Sequence, residues 1–258
     1  CTAEGTFELD ASIMEGKDLS AGAVAGLKHV KHPINAAYAV KTKSPHVMLS
    51  GAGAEEFAKE QGLEMVEDNM YFATPKTMEW IEKLKQESKK NGTVGCVVLD
   101  KQGNLTAGTS TGGMFKKRWG RIGDSPVIGA GTYADNNSCA VSCTGHGEYF
   151  IRHAVAFDVC ARYKYLKESV EKAADYIIHT ELNTNAGNGG LIAVDKLGNI
   201  AMPYNSGGMF RGFLYKEKGR SYYSRAAFVY YCRNTIIRLF SWKIKYSWSL
   251  FAVLDILM

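Results

Sequence analysis

Asn91-Gly-Thr-Val-Gly-Cys-Val-Val-Leu-Asp-Lys-Gln-Gly-Asn-Leu-Thr-Ala-Gly-Thr-Ser-Thr-Gly-Gly-Met114 reads as two arms around a turn. Thr93 to Leu99 is a short apolar run rich in β-branched residues, and Asp100-Lys-Gln-Gly-Asn104 holds the Asp, Gly and Asn that tight turns require. The pattern predicts a buried β-hairpin. Asp195-Lys-Leu-Gly-Asn199 repeats the turn chemistry inside Gly190 to Ala201, which predicts a second hairpin of the same construction. Just before the first hairpin, Gln86-Glu-Ser-Lys-Lys-Asn-Gly92 is polar, charged and closed by glycine, the composition of a linker. The switch from linker to strand falls between Gly92 and Thr93.

On the amino-terminal side, Thr6 to Met14 and the small-residue run Ser20 to Gly26 predict two packed strands. Pro33 to Lys41 carries Ala and Val at helical spacing behind a proline, His46 to Leu49 reads as a short strand, and Ala54 to Gly62 as a helix stopped by glycine. Thr77 to Lys90 fits a charged, exposed helix. On the carboxyl side a strand is expected at Ala140 to Cys143, with helices over Gly147 to Tyr163 and Leu166 to Leu182. Buried hairpins interleaved with helix pairs predict a layered α/β (α+β) architecture with antiparallel sheets at its centre.

The 258 residues are 46% hydrophobic and 22% charged, enough for one domain or two small ones with a sizeable core. The net charge of +5 is no nucleic-acid footprint. Six of the 31 Lys/Arg but one of the 26 acids lie from Gly219 onward, so residues 1–218 carry 25 of each sign. Six cysteines form neither a Cys-x-x-Cys pair nor a cluster with histidines at ligand spacing. They read as reduced thiols, with no metal or cofactor implied and a cytoplasmic setting expected. Cys139 and Cys143, at even spacing on a strand, should face one side as small core residues. The most apolar stretch, Tyr246 to Met258, contains Asp255 and falls short of the ~20 residues that cross a bilayer, so no membrane partner is expected.

Three glycine-punctuated segments follow the first hairpin's nucleus: Thr109-Ser-Thr-Gly-Gly-Met114, Gly120-Arg-Ile-Gly-Asp-Ser-Pro126 and Cys143-Thr-Gly-His-Gly-Glu148. Each lies at or near a strand end. Together with the Thr93 strand and Gly131-Thr-Tyr-Ala-Asp135, their order and spacing resemble the β-subunit of the plant-type asparaginase/isoaspartyl peptidase family of threonine-nucleophile (Ntn) hydrolases. The resemblance extends upstream through Glu8-Leu-Asp-Ala-Ser-Ile-Met14 and Ser20-Ala-Gly-Ala-Val24 and downstream to Pro203-Tyr-Asn-Ser-Gly-Gly-Met-Phe-Arg211. It covers about residues 2 to 215.

The resemblance implies an αββα four-layer sandwich, made as a precursor that cuts itself before its nucleophilic threonine and whose two subunits stay together, as an (αβ)2 dimer. Here that bond is Gly92–Thr93, giving an α-subunit portion over residues 1–92 and a β-subunit over 93–218. The chemistry suits these residues. A β-hydroxyl can attack the carbonyl just before it, and Gly92 lacks a Cβ to obstruct the turn the attack requires. The released α-amine titrates near ~8 and can take the proton of its own hydroxyl. The β-methyl of threonine restricts χ1 and holds that oxygen on line.

By the same resemblance Thr111 is the second active-site threonine, Thr109 being the lesser candidate. Arg121 would bind the substrate α-carboxylate and Asp124 the α-ammonium, a planar guanidinium and an aspartate forming an amino-acid clamp. Thr144 and Gly145 correspond to the oxyanion hole and Gly147 to a substrate-contacting backbone position. His146 has no carboxylate partner evident beside it. The expected substrates are L-asparagine and β-aspartyl dipeptides.

Two features depart from the family. Members carry roughly sixty further residues at the amino end, including an active-site asparagine, so the sandwich is expected to be incomplete there. After about Leu214 the family pattern stops, and residues 219–258 read as a tail that adds aromatic and basic residues and no matching fold element. Two other readings stay open on the sequence. Glycosylasparaginases use the same nucleophile but carry Asp-Thr-Ile/Val-Gly at the junction, and a truncated product would have no enzymatic activity.

Overall fold

Leu9–Glu15 (β1) and Ala21–Leu27 (β2) are antiparallel arms rich in small and β-branched residues, and almost every side chain in them is buried. Such strands are covered on both faces. Pro33–Lys43 (α1) and Gly51–Glu60 (α2) cover one face, with Met48–Ser50 (β3) pairing parallel to β2 between them. The first-turn proline, whose missing N–H is an orphan in any case, starts α1. The computed structural model describes residues 1–75, 91–214 and 225–230. The helix and most of the linker expected over residues 77–90 lie outside the described residues.

The first hairpin is Asn91–Leu99 (β4) and Leu105–Met114 (β5), paired antiparallel from Leu99↔Leu105 to Asn91↔Met114. β5 pairs β1 in turn, so the hairpin enters the middle of the larger sheet. Thr132–Ala134 (β6), Cys139–Gly145 (β7), Gly189–Asp195 (β8) and Ile200–Ala201 (β9) form a second, four-stranded antiparallel sheet. Its second hairpin, β8 and β9, is the one read from Asp195-Lys-Leu-Gly-Asn199, where Asp195 accepts hydrogen bonds from the backbone of Leu197 and Asn199.

The buried side chains fall into three slabs, as four layers demand. Val24, Leu27, Ile34, Val40 and Ala54 lie between the first helices and the larger sheet. Met14, Val97, Leu105, Ala107, Ala140 and Ile192 lie between the sheets. Cys139, Cys143, Val159, Ile177 and Leu191 lie between the smaller sheet and the last helices, so both cysteines face one side as the even spacing requires. The architecture is an αββα sandwich.

Three elements differ from the sequence reading. The helix expected from Gly147 to Tyr163 is broken, with Gly147–Arg152 (α3), Ala154 at φ 46°, and Val155–Ala161 (α4) restarting beyond it. The break has a donor-pairing reason: the N–H groups of Ala156 and Phe157, orphans of the new first turn, donate to the carbonyls of Ala130 and Gly129. A second helical stretch follows from Val170. β4 begins at Asn91, so the Gly92–Thr93 bond lies inside a strand rather than at its entrance. Finally, Phe210–Leu214 (β10) and Arg225–Tyr230 (β11) extend the larger sheet in the order β10-β11-β4-β5-β1-β2-β3. Residues 225–230 of the tail thus add a fold element, pairing β4 along Val94 to Leu99. Ala-Ala-Phe-Val-Tyr is a β-prone run that the tail's overall composition concealed.

Candidate active site

Register decides the first contact. In the β4–β5 ladder Thr93 stands opposite Thr111, and their hydroxyl oxygens are 3.2 Å apart, both side chains buried to 8% exposure. The ladder slips between Asn91 and Thr93, where Gly92 alone stands against Gly112 and Gly113, so the extra residue of the bulge is on β5. The bulge breaks the regular ladder at this point, and here the Thr111 hydroxyl donates to the Gly92 oxygen at 2.9 Å while accepting from Gly113 N–H at 3.0 Å. Thr111 has one proton. With that proton on the Gly92 carbonyl, the bond between the two threonines must run from Thr93 as donor to Thr111 as acceptor.

Gly92 itself is not sterically forced. Its φ is not positive, and a Cβ placed there would meet nothing within 4 Å. The expected need for a bare Cα at this position does not arise in the uncleaved chain. Gly95, two residues on, is different: a Cβ there would sit 2.1 Å from Ser142 Oγ, so this glycine lets β4 approach β7.

Thr109 serves the space between the sheets. Its hydroxyl is joined to Ser142 Oγ (2.7 Å) and Thr132 Oγ1 (2.6 Å), and Ser12 Oγ reaches Thr132 Oγ1 (2.8 Å) and the Ser125 carbonyl (2.6 Å). All four side chains are buried. This hydroxyl network satisfies its members mutually and fixes the loop that leads out of Asp124.

Arg121, Asp124 and Gly147 come together. A Cβ on Gly147 would lie 2.8 Å from Asp124 Oδ1 and 2.9 Å from Arg121 Nη2, so only glycine allows α3 to start this close. Arg121 donates from Nε to Glu148 Oε1 and from Nη2 to Glu148 Oε2, each at 2.8 Å. The sequence reading assigned no role to Glu148, which has its partner 27 residues away and no local signal beyond its place at a helix start. This pairing holds one edge of the guanidinium and leaves the Nη1/Nη2 edge with its N–H groups for another carboxylate. Arg121 in turn keeps the Glu148 carboxyl below the usual range. Glu148 Oε2 also lies 3.3 Å from His146 Nε2, so His146 does have a carboxylate beside it, contrary to the sequence expectation.

Asp124 is buried with Oδ2 lacking any hydrogen-bond partner among the described residues. Burial pushes its carboxyl from 3.8 up to about 7, against the pull of its own backbone and of Arg121. The folded value lies above the unfolded one. The stability this group contributes is therefore complete below about pH 4 and is lost as pH rises through about 7, to a ceiling on the order of 4 kcal/mol. Asp124→Asn is expected to raise the melting temperature clearly at about pH 8 and little at about pH 4. Thermal melts across that range check this, and a gain independent of pH would contradict it.

Thr144 and Gly145 end β7, with Thr144 buried and Gly145 at φ 152° against the Asn188 carbonyl and Phe150. They stand two and three residues beyond Ser142, the residue on which Gly95 of the Thr93 strand packs. No helix among the described residues is long and apolar enough to cross a membrane.

The profile described as asparaginase matches residues 1–223. The isoaspartyl peptidase of Salmonella typhimurium is 48% identical over 228 residues, covering 83% of this chain and 72% of that protein. The isoaspartyl peptidase of Escherichia coli is 44% identical, over 84% of this chain and 75% of its own length. A probable isoaspartyl peptidase/L-asparaginase 2 of Arabidopsis thaliana is 43% identical, over 82% and 74%. With the sandwich and the threonine pair at its centre, these matches show that the chain belongs to the asparaginase/isoaspartyl peptidase family of hydrolases.

Proposed function

We propose that this chain is an autoprocessing amidohydrolase that cuts its own Gly92–Thr93 bond and then uses Thr93 to hydrolyse L-asparagine and β-aspartyl dipeptides. The observation that carries the reading is the shared hydroxyl: Thr93 Oγ1 and the Gly92 carbonyl oxygen both rest on Thr111 Oγ1, at 3.2 and 2.9 Å. Those are the two atoms that self-cleavage must activate. As Thr93 Oγ1 attacks the Gly92 carbonyl carbon, its proton passes to Thr111, and the Thr111 proton passes to the carbonyl oxygen. No net charge has to be buried. Collapse of the adduct returns that proton to the departing Thr93 nitrogen, leaving an ester that water hydrolyses to a Gly92 carboxylate and a free Thr93.

The new α-amine then takes over as base for the Thr93 hydroxyl. Arg121 receives the substrate α-carboxylate on the edge that Glu148 leaves open, and Asp124 receives the α-ammonium with the oxygen that has no hydrogen-bond partner among the described residues. Thr144 and Gly145 stabilise the oxyanion, Gly147 supplies the close backbone wall, and ammonia or an amino acid leaves before water frees the aspartyl group. Residues 1–92 and those from Thr93 onward remain associated through the β1–β5 pairing, in an (αβ)2 dimer.

Denaturing gel electrophoresis with mass spectrometry of the new amino terminus tests the first step. Two fragments divided at Gly92, and turnover of asparagine or a β-aspartyl dipeptide, are expected. An intact chain that never releases Thr93 would overturn the reading.

A further inference from the structure

A set of charges lies beside the threonine pair and takes no part in the chemistry above. Lys117, three residues past β5, has a side chain only 1% exposed, with Nζ 3.4 Å from Glu8 Oε2 and 3.8 Å from Asp10 Oδ2. Among the described residues neither Lys117 Nζ nor Asp10 Oδ2 has a hydrogen-bond partner. Asp10 faces Thr111 in the β1–β5 register, and its other oxygen accepts from Gly26 N–H at 2.8 Å. The end of the Lys117 side chain packs on Gly113, where a Cβ would lie 3.3 Å from both Cδ and Nζ. Gly113 is the residue whose N–H donates to Thr111 Oγ1.

Stability does not explain this arrangement. Buried ion pairs return less than their desolvation costs unless geometry is excellent, and contacts of 3.4 and 3.8 Å are long. A methionine would fill the same space without that penalty. A fixed cation next to the Thr111 hydrogen-bond chain has value when negative charge gathers on hydroxyl oxygen, because electrostatic help is strongest where water is excluded.

We propose that Lys117, held by Glu8 and Asp10, is a positioning residue for the Thr93–Thr111 hydroxyl pair, acting through Gly113 and Thr111. The proposal rests on the reading of Thr93 as nucleophile. It predicts a loss in the chemical steps and not in substrate capture, since the clamp at Arg121 and Asp124 keeps its own partners.

The test uses the full chain carrying Lys117→Met, following the rate of cleavage at Gly92–Thr93 and, in the cleaved fraction, kcat and KM for a β-aspartyl dipeptide. Cleavage and kcat should both fall on the order of 10- to 100-fold with KM within about twofold, the scale of a misplaced reacting group. Because the single change leaves a buried acid without its cation, Asp10→Asn/Lys117→Met is measured beside it. That double variant should melt like the parent and remain as slow as the single. A folded double variant that cleaves at the parent rate would overturn the proposal, and so would a KM rise with kcat unchanged, which assigns Lys117 to binding. A parent chain that does not cleave at all would remove the Thr93 reading and this inference with it.

Discussion

Thr93→Ala is expected to end both self-cleavage and hydrolysis. In the proposed mechanism one hydroxyl performs both reactions, and removing a nucleophile that acts as a unit with its partners costs on the order of 10⁴-fold or more. The methyl group that remains still fills the slot opposite Thr111, so the ladder should survive. The Thr111 proton would stay on the Gly92 carbonyl, leaving a folded, uncut chain. Thr93→Ser is the companion measurement. Serine keeps the oxygen but loses the χ1 restriction of the β-methyl, so it should still cleave, more slowly. Mass spectrometry of the intact chain and a fixed-time ammonia assay read the outcome. Cleavage by the alanine variant at the parent rate would remove Thr93 from the mechanism.

The parts of this molecule that were legible in the sequence are those whose signal is local. The hairpin at Thr93 to Leu99 announced itself through β-branched residues and an Asp-to-Asn turn, and once strand and turn are set, Thr93 must meet Thr111 by register. Arg121 and Asp124 stood out through the family resemblance, since a bare Arg-x-x-Asp reads as an ordinary surface ion pair. What escaped depends on partners distant in the chain. Glu148 reaches Arg121 only because Gly147 allows α3 to begin against Asp124, a packing fact with no periodicity behind it. Ser12, Thr132 and Ser142 look like ordinary strand residues until two sheets bring their hydroxyls together. Lys117 reads as one of many surface lysines, and its buried charge meets acids at the start of β1, more than a hundred residues earlier. The ladder's extension past Gly92 was hidden for a related reason: glycine after a polar run predicts a loop end, yet β5 bulges at Gly112–Gly113, continues to Met114 and keeps the ladder going.

Arg121→Ala is expected to damage substrate use far more than self-cleavage, because in the proposed function this side chain receives the free substrate's carboxylate and takes no part in cutting the Gly92–Thr93 bond. Losing a bidentate, charge-assisted pair in a shielded site should lower kcat/KM by on the order of 2–4 kcal/mol, roughly 30- to 1000-fold, mostly through KM. Cleavage at Gly92 should change by no more than about threefold. Glu148 loses its guanidinium partner in the variant, but it is half exposed, has His146 beside it and can be solvated by water, so the fold should tolerate the change. Asp124 will feel the loss more. Arg121 is one of the groups that holds the Asp124 carboxyl down, and without it that carboxyl rises above about 7, so ammonium capture should require a higher pH than in the parent. Arg121→Lys separates the two contributions. A lysine keeps the positive charge near Asp124 but offers a point charge instead of a two-pronged edge, so it should restore the pH profile without restoring KM. Slow cleavage with undiminished hydrolysis in Arg121→Ala would reverse the roles and place this arginine in processing instead of substrate recognition.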